Sequence, residues 1–504
     1  MAMKLEKLEL PTKIEIESLT HAELLSLATQ WRDQLEKCQG ILFRFKKKLF
    51  GKSSEKSKAK SSTATPSTLE DEPPKSSTPR SDTTKQLSER YPNAPIQPES
   101  IGFSEPPCCP GCGNAMQDSG MSEVSEYLTT SPKEFIIIKQ VRQKARCCKC
   151  HSAIVTAPAP ARITPGGSYS DDMIIDATLS KYCDLIPMER YCQMAARNGL
   201  LGLPPHSLIT ASIRLSKFLE AVYGRIKEST LNTKVLLADE TTHRMLEGDA
   251  KTRWYLWGFS TATACFFECH NTRSGDVSIS VLAQSICEFL LTDVYSGYKR
   301  SIRLVNELRT QKNQPLLLAA FCNSHARRLF KNQEDAAGTA CDATSMVRQY
   351  DDIYKLNTQS KGQPPEVVLE KRAQMKPIFE AMKEEASRKI NGYSSKSDIA
   401  AAYNYFIENY EGLTRFLDHH LIPIDNNASE RLLRSHVIGR KTWYGTHSPA
   451  AAEAAAIHFT IVESCKLNQI NPREFYLDAV QRIHTKKNVL TPYEYKQQLT
   501  EGSS

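Results

Sequence analysis

No apolar run in this sequence approaches the ~18 residues that a membrane-spanning helix requires. The longest clear runs, such as Leu316-Leu-Leu-Ala-Ala-Phe-Cys322, are strand-sized, so the expectation is a protein with no membrane partner. The N-terminal segment is rich in Lys and Glu and lacks the apolar core of a secretion signal, which points to the cytoplasm. A strong overall charge is missing too. The formal net charge is +8, with 40% hydrophobic and 24% charged residues, the proportions of an ordinary globular chain. Without an oxidising compartment, the 15 cysteines are thiols or metal ligands rather than disulfides. Isolated ones such as Cys183, Cys265 and Cys465 read as small buried hydrophobes.

What is present is organised in blocks. A length of 504 residues exceeds what one core supports and implies three or more folded units. Leu24, Ala28, Trp31, Leu35, Cys38, Leu42, Phe45 and Leu49 advance in steps of four and three. This heptad seam predicts a coiled coil over residues 1–50 that would make a homo-oligomer, the alternative being one amphipathic helix docked on its own chain. Residues 41–60 carry eight Lys or Arg and one acid, Glu55, a pattern shared by nucleic-acid-binding arms and solvated stretches. Residues 51–100 turn to Ser, Thr, Pro and Lys, with too little apolar surface to offset ordering entropy, and read as a disordered linker.

Residues 101–165 hold two C-x-x-C knuckles, Cys109-Pro-Gly-Cys112 and Cys147-Cys-Lys-Cys150. Cys109, Cys112, Cys147 and Cys150 supply the four thiolates of one tetrahedral structural Zn²⁺, with Cys108 and Cys148 as adjacent substitutes. Strands between the knuckles, including Phe135-Ile-Ile-Ile138, would bring them together as a hairpin. Residues 166–232 predict two amphipathic helices, 188–196 and 205–219, around a Gly-containing turn. That is a helix-turn-helix-like DNA-binding region or a small helical bundle.

From Lys234 short strands begin. Val235-Leu-Leu-Ala238 runs into Asp239, strands follow at 254–260 and 264–269, and a helix ends near Cys287. Then come a strand from Phe289 into Asp293, a helix from Tyr298, a strand 315–321, and a helix containing Ser324-His-Ala-Arg-Arg328. Three strands, helix, strand, helix, strand, helix is the order of a ribonuclease-H-like fold, which sets the first and fourth strands side by side and Asp239 beside Asp293. The expected catalytic domain covers 233–333, resumes at 421–447 after an all-helical insertion at 334–420, and is followed by C-terminal helices at 448–504. The fold class is therefore multidomain α+β.

Glu430 lies 137 residues beyond Asp293 within Asp425-Asn-Asn-Ala-Ser-Glu-Arg431, on a helix that Asp425 or Asn426 would cap. Asp239, Asp293 and Glu430 are three hard oxygen donors suited to two Mg²⁺ or Mn²⁺ ions, the arrangement used for in-line displacement at phosphorus. Asp239 is the candidate bridge between the two ions. Glu240 and Asp425 compete for the same roles, and an ion pair with Arg434 is the competing role for Glu430. Candidate DNA contacts are Arg327, Arg328, Arg431, Arg434, Arg440, Lys441 and Trp443, with Tyr444 beside them. Cations would neutralise phosphates and an aromatic ring would stack on an unpaired base, or Trp443 would fill a core. His325 reads as a hydrogen-bonded structural histidine, with a phosphate or metal-shell contact as its alternative.

Together these motifs resemble the bacterial insertion-sequence transposases of the insertion-sequence-66 type, the TnpC class. The resemblance is carried by Lys48-Leu-Phe-Gly-Lys-Ser-Ser-Glu-Lys56, the paired C-x-x-C, Ala157-Pro-Ala-Pro-Ala161 and Ser180-Lys-Tyr182. It continues through Ala238-Asp-Glu-Thr241, Thr292-Asp-Val-Tyr-Ser-Gly-Tyr298, His325-Ala-Arg-Arg328, the segment ending at Arg431, Gly439-Arg-Lys441 and Glu463-Ser-Cys-Lys-Leu-Asn468. Two positions depart from the pattern: Asn323 stands where the family often has Trp, and Val294 where it often has Gly. The resemblance implies an Asp239-Asp293-Glu430 metal triad, zinc-finger and helix-turn-helix DNA-binding parts, and strand cleavage and strand transfer at terminal inverted repeats and target DNA. It also implies nucleoid association on DNA, and helper proteins of the same element as possible partners. A non-catalytic DNA-binding derivative and a structure-selective nuclease are the competing functions.

Overall fold

The computed structural model describes residues 20–24, 26, 28, 31–32, 86–90, 96, 133–146, 154–247, 253–338 and 341–501. Residues 53–138 form a separate unit, in which the described residues include one helical turn, Leu87–Arg90. The larger unit is described next, apart from residues 133–138, which belong to the smaller one. Of the heptad seam, Leu24, Ala28 and Trp31 are described, all helical. Nearby Arg32 stacks 4.3 Å above the Tyr393 ring, a contact of the kind the docked-helix alternative requires. Residues 33–85, and with them most of the expected linker, lie outside the described residues.

Strands β1 (Lys144–Arg146) and β2 (Ile154–Thr156) pair antiparallel. The strand expected at Phe135–Ile138 does not form: residues 133–143 are in no strand, and Ile137 is 91% exposed. β-branched residues favour strands only where a partner and apolar cover exist. All four zinc-ligand candidates lie outside the described residues.

Helices α1 (Asp171–Tyr182), α2 (Met188–Arg197), α3 (Pro205–Phe218) and α4 (Glu220–Leu231) follow. Next come β3 (Val235–Arg244), β4 (Arg253–Ser260), β5 (Cys265–His270), α5 (Gly275–Leu282) and β6 (Phe289–Thr292). Then α6 (Ser296–Gln311), β7 (Leu318–Phe321) and α7 (Asn323–Ala337) complete the series. The sheet runs β5-β4-β3-β6-β7, antiparallel across β5-β4-β3 and parallel across β3-β6-β7. β3 is longer than expected: it continues past Asp239 to Arg244, whereas its pairing with β6 stops at Leu237 and Leu291.

Residues of β3 and β6 alternate between two cores, as a strand's two-residue period requires. Leu236, Ala238, Trp257 and Phe259 pack on α5 and α6 through Val277, Val281, Tyr298 and Val305. Leu237, Leu291 and Phe321 face the opposite way, into a cluster shared with Met346, Tyr350, Phe379 and Phe406. Those four come from α8 (Ala343–Gln359), α9 (Pro365–Lys389) and α10 (Asp398–Glu408). The inserted helices are thus one cover of the sheet, continuous with its core. A short α11 (Tyr410–Thr414) leads back toward it.

The return path is pinned by two buried polar side chains. The Arg372 guanidinium donates to the carbonyls of Phe416, His419 and Ile422 at 2.6, 2.5 and 2.9 Å. Asn323, fully buried, donates from Nδ2 to the carbonyls of Leu413 (2.9 Å) and Ile424 (3.1 Å). The residue that departs from the family pattern therefore ties the start of α7 to the end of the insertion.

Helices α12 (Asn427–Trp443), α13 (Pro449–Leu467), α14 (Pro472–His484) and α15 (Pro492–Glu501) close the chain. α13 is buried along most of its length, as a helix apolar on nearly every side must be. It meets β4 and β5 through Phe459, and α1, α3 and α4 through Ile457, Ile461 and Val462.

Candidate functional site

Asp239 and Asp293 each stand two residues past the last registered pair of β3 and β6, Leu237 and Leu291. Parallel register therefore sets them at the same level of neighbouring strands. Across β4, Asp239 pairs with Gly258. A Cβ there would meet the Phe267 ring at 2.9 Å and Leu433 at 3.4 Å, so the glycine lets α12 lie close on the strand that carries Asp239.

The start of α12 is bonded to that strand. Asn426 Nδ2 donates 2.9 Å to the carbonyl of Ala238, the residue before Asp239. Asn426 occupies the N-cap position yet makes no side-chain cap; its Nδ2 is used in this docking and its Oδ1 is buried without a hydrogen-bond partner. Asp425 instead accepts the Asn427 amide at 3.1 Å and the Tyr354 hydroxyl at 3.1 Å, which directs it toward the insertion. Glu430 lies one turn along, with Oε1 3.7 Å from Nδ1 of His325 on α7. Both atoms are buried without a hydrogen-bond partner. The expected hydrogen-bonded structural histidine is thus not what is found at that nitrogen, which leaves the phosphate or metal-shell alternative for His325.

Glu240, one residue on, faces the opposite side. Its side chain is 2% exposed, paired with Arg273 at 2.7 Å and accepting from the Tyr298 hydroxyl at 2.7 Å. Asp239 feels the charges of both Asp293 and Glu430, whereas the donor atoms that cluster within 4.8 Å of one another among the described residues are those of Cys322, His325 and Glu430. Burial, then the charges of Glu240, Asp293 and Glu430, push Asp239 up to about 8 against the pull of the Glu240 amide. Asp293 accepts the Tyr295 amide at 3.1 Å. Among the described residues neither aspartate has a Lys or Arg partner within ion-pair distance. A half-buried set of carboxylates with no cation, flanked by an orphaned carboxylate oxygen and imidazole nitrogen, fits divalent metal.

The cationic candidates divide. Arg327 pairs with Asp351 at 2.7 Å, and Arg440 donates to the carbonyl and hydroxyl of Thr242. Trp443 folds back over Gly439 and meets Tyr182 edge-on at 6.3 Å. These three, offered by the sequence as DNA contacts, are engaged within the fold. Arg431, Arg434 and Lys441 are exposed on α12 at steps that keep them on one face, and Arg328 is exposed on α7.

Residues 166–454, more than half of the sequence, match the family described as Transposase IS66 family. The chain belongs to that family. A transposase-related function, carried out on DNA, follows from membership. Among similar proteins are three from Sinorhizobium fredii (strain NBRC 101917 / NGR234). The uncharacterized protein y4hP is 27% identical over 426 residues, covering 80% of this chain and 76% of its own length. Uncharacterized protein y4jD is 26% identical over 400 residues (77% and 76%), and y4qI 25% over 374 (71% and 68%). The IS66 match spans Asp239, Asp293, His325 and Glu430. Among the described residues, no helix is long and apolar enough to cross a membrane.

Proposed function

We propose that this IS66-family chain is a DNA transposase of the Asp-Asp-Glu type, cleaving at the ends of its element and joining the exposed 3′-hydroxyl to target DNA. The observation that carries this reading is the shared register level of Asp239 in β3 and Asp293 just past the end of the adjacent parallel β6, with Glu430 on a helix bonded to Ala238. The strand order β5-β4-β3-β6-β7 supports a ribonuclease-H-like catalytic core, interrupted at 334–420.

Asp239, the carboxylate influenced by both others, would hold the divalent ions together with Asp293 and Glu430. Two divalent ions held there would activate the attacking hydroxyl and offset charge on the leaving oxygen. Asn426 fixes the height of the Glu430 helix against Asp239. Arg431, Arg434, Lys441 and Arg328 receive the DNA backbone. Residues 166–232 and the Cys109, Cys112, Cys147, Cys150 zinc module serve binding of terminal repeats, and residues 1–50 serve dimerisation. Intact carboxylates argue against a non-catalytic derivative.

The test is strand transfer with Mg²⁺ and DNA bearing the element's own ends. Asp239→Asn and Asp293→Asn are expected to lose cleavage by at least a hundredfold, as removal of a charge-stabilising group does, with DNA affinity nearly unchanged. Full cleavage by either variant removes that residue from the site.

A further inference from the structure

The proposed triad leaves one group unexplained. His325, in the first turn of α7, directs Nδ1 toward Glu430 Oε1 at 3.7 Å, too far for a hydrogen bond, and neither atom has another partner. Two buried polar atoms left unbonded cost free energy unless a third body satisfies both. Cys322 Sγ lies within 4.8 Å of them, but it accepts the Asn426 amide at 3.2 Å, so its lone pairs are already directed to the backbone.

We propose that His325 Nδ1 is a ligand to the same divalent ion as Glu430, making that half of the site a mixed imidazole–carboxylate site that selects Mn²⁺ over Mg²⁺. This rests on the Asp-Asp-Glu reading and adds a nitrogen donor to it. Imidazole suits first-row transition metals, whereas Mg²⁺ prefers an all-oxygen shell. An Mg²⁺ ion at Glu430 would leave Nδ1 unsatisfied; an Mn²⁺ ion satisfies both atoms. Cys322 is a neighbour, not a ligand.

The test uses the full-length protein without DNA, titrated with Mn²⁺ and followed by electron paramagnetic resonance. Wild type is expected to show ¹⁴N modulation from a coordinated imidazole in its pulsed spectrum. His325→Gln is expected to lose that modulation and to bind Mn²⁺ about 10–100-fold more weakly at one site, a loss of the size seen when a group supporting a metal is removed. Mg²⁺ affinity should move much less, and Cys322→Ser should keep the ¹⁴N signal. The wild-type spectrum does not depend on how any variant folds. Absence of ¹⁴N modulation with Mn²⁺ bound overturns the inference, as does a signal surviving in His325→Gln. Asp239→Asn separates the two readings: if it loses Mn²⁺ while wild type shows no nitrogen coupling, the triad stands and the histidine ligand fails.

Discussion

Asp239 and Glu240 are neighbours in sequence and opposites in environment. Asp239 has no cationic partner and is pushed up to about 8, chiefly by burial. Its folded-state value lies above its unfolded one, so its contribution to stability is full below about 4 and is lost as pH rises through about 8. A bound divalent cation reverses that loss. The rise in unfolding temperature on adding Mg²⁺ should therefore be larger at pH 8 than at pH 5, and Asp239→Asn should flatten the difference. Glu240→Gln behaves differently. It weakens the bonds to Arg273 and Tyr298, costing about 1–3 kcal/mol, and should leave Mn²⁺ stoichiometry unchanged. A lost metal in Glu240→Gln would place that residue in the site. The position of Asp239 in β3 was legible because an apolar strand ran into it. Sequence left open which way Glu240 faces, since Arg273 and Tyr298 reach it from distant α5 and α6 neighbourhoods.

At the scale of elements, α12 is held to β3 at both ends. Asn426 binds Ala238 at one, and His436 meets His243 Nδ1 at 3.3 Å toward the other, with His243 Nε2 2.8 Å from the Thr446 hydroxyl. Burial pushes His243 down to about 4 and His436 well below its ordinary value. For a depressed histidine, stability is present above about 6.5 and lost as pH falls toward 4. Amide exchange in α12 should accelerate over that interval in wild type, and less in His436→Phe, which keeps an aromatic ring against Phe459. An unchanged acid response in that variant would mean the pair does not clamp the helix. Element order read from the sequence anticipated the sheet because hydrophobic period and turn residues are local. The role of the insertion was hidden: its exterior is polar, and only tertiary packing reveals that Tyr350, Phe379 and Phe406 cover β6 and β7.

Across the whole molecule, Cys147 and Cys150 lie in sequence between the antiparallel β1 and β2, outside the described residues, and Ile136, Ile137 and Ile138 are solvent-exposed. The expected strand at 135–138 failed because period and propensity cannot supply a partner. Elemental analysis of protein purified without chelator should find one zinc per chain, and Cys147→Ser with Cys150→Ser should release it and loosen that module, since metal binding contributes to folding there. Zinc-free wild-type protein with intact DNA binding would count against the module.

The insertion joins α7 to Asp425 and shares the core of the sheet. Its consequence belongs to time rather than space. A ribosome adding ~5–20 residues per second delivers Glu430 on the order of ten seconds after Asp293. The helices that steer it home must first collapse onto strands already made. A nascent chain therefore carries Asp239 and Asp293 well before Glu430 exists, so on the proposed reading the triad is incomplete until residue 430 has been added.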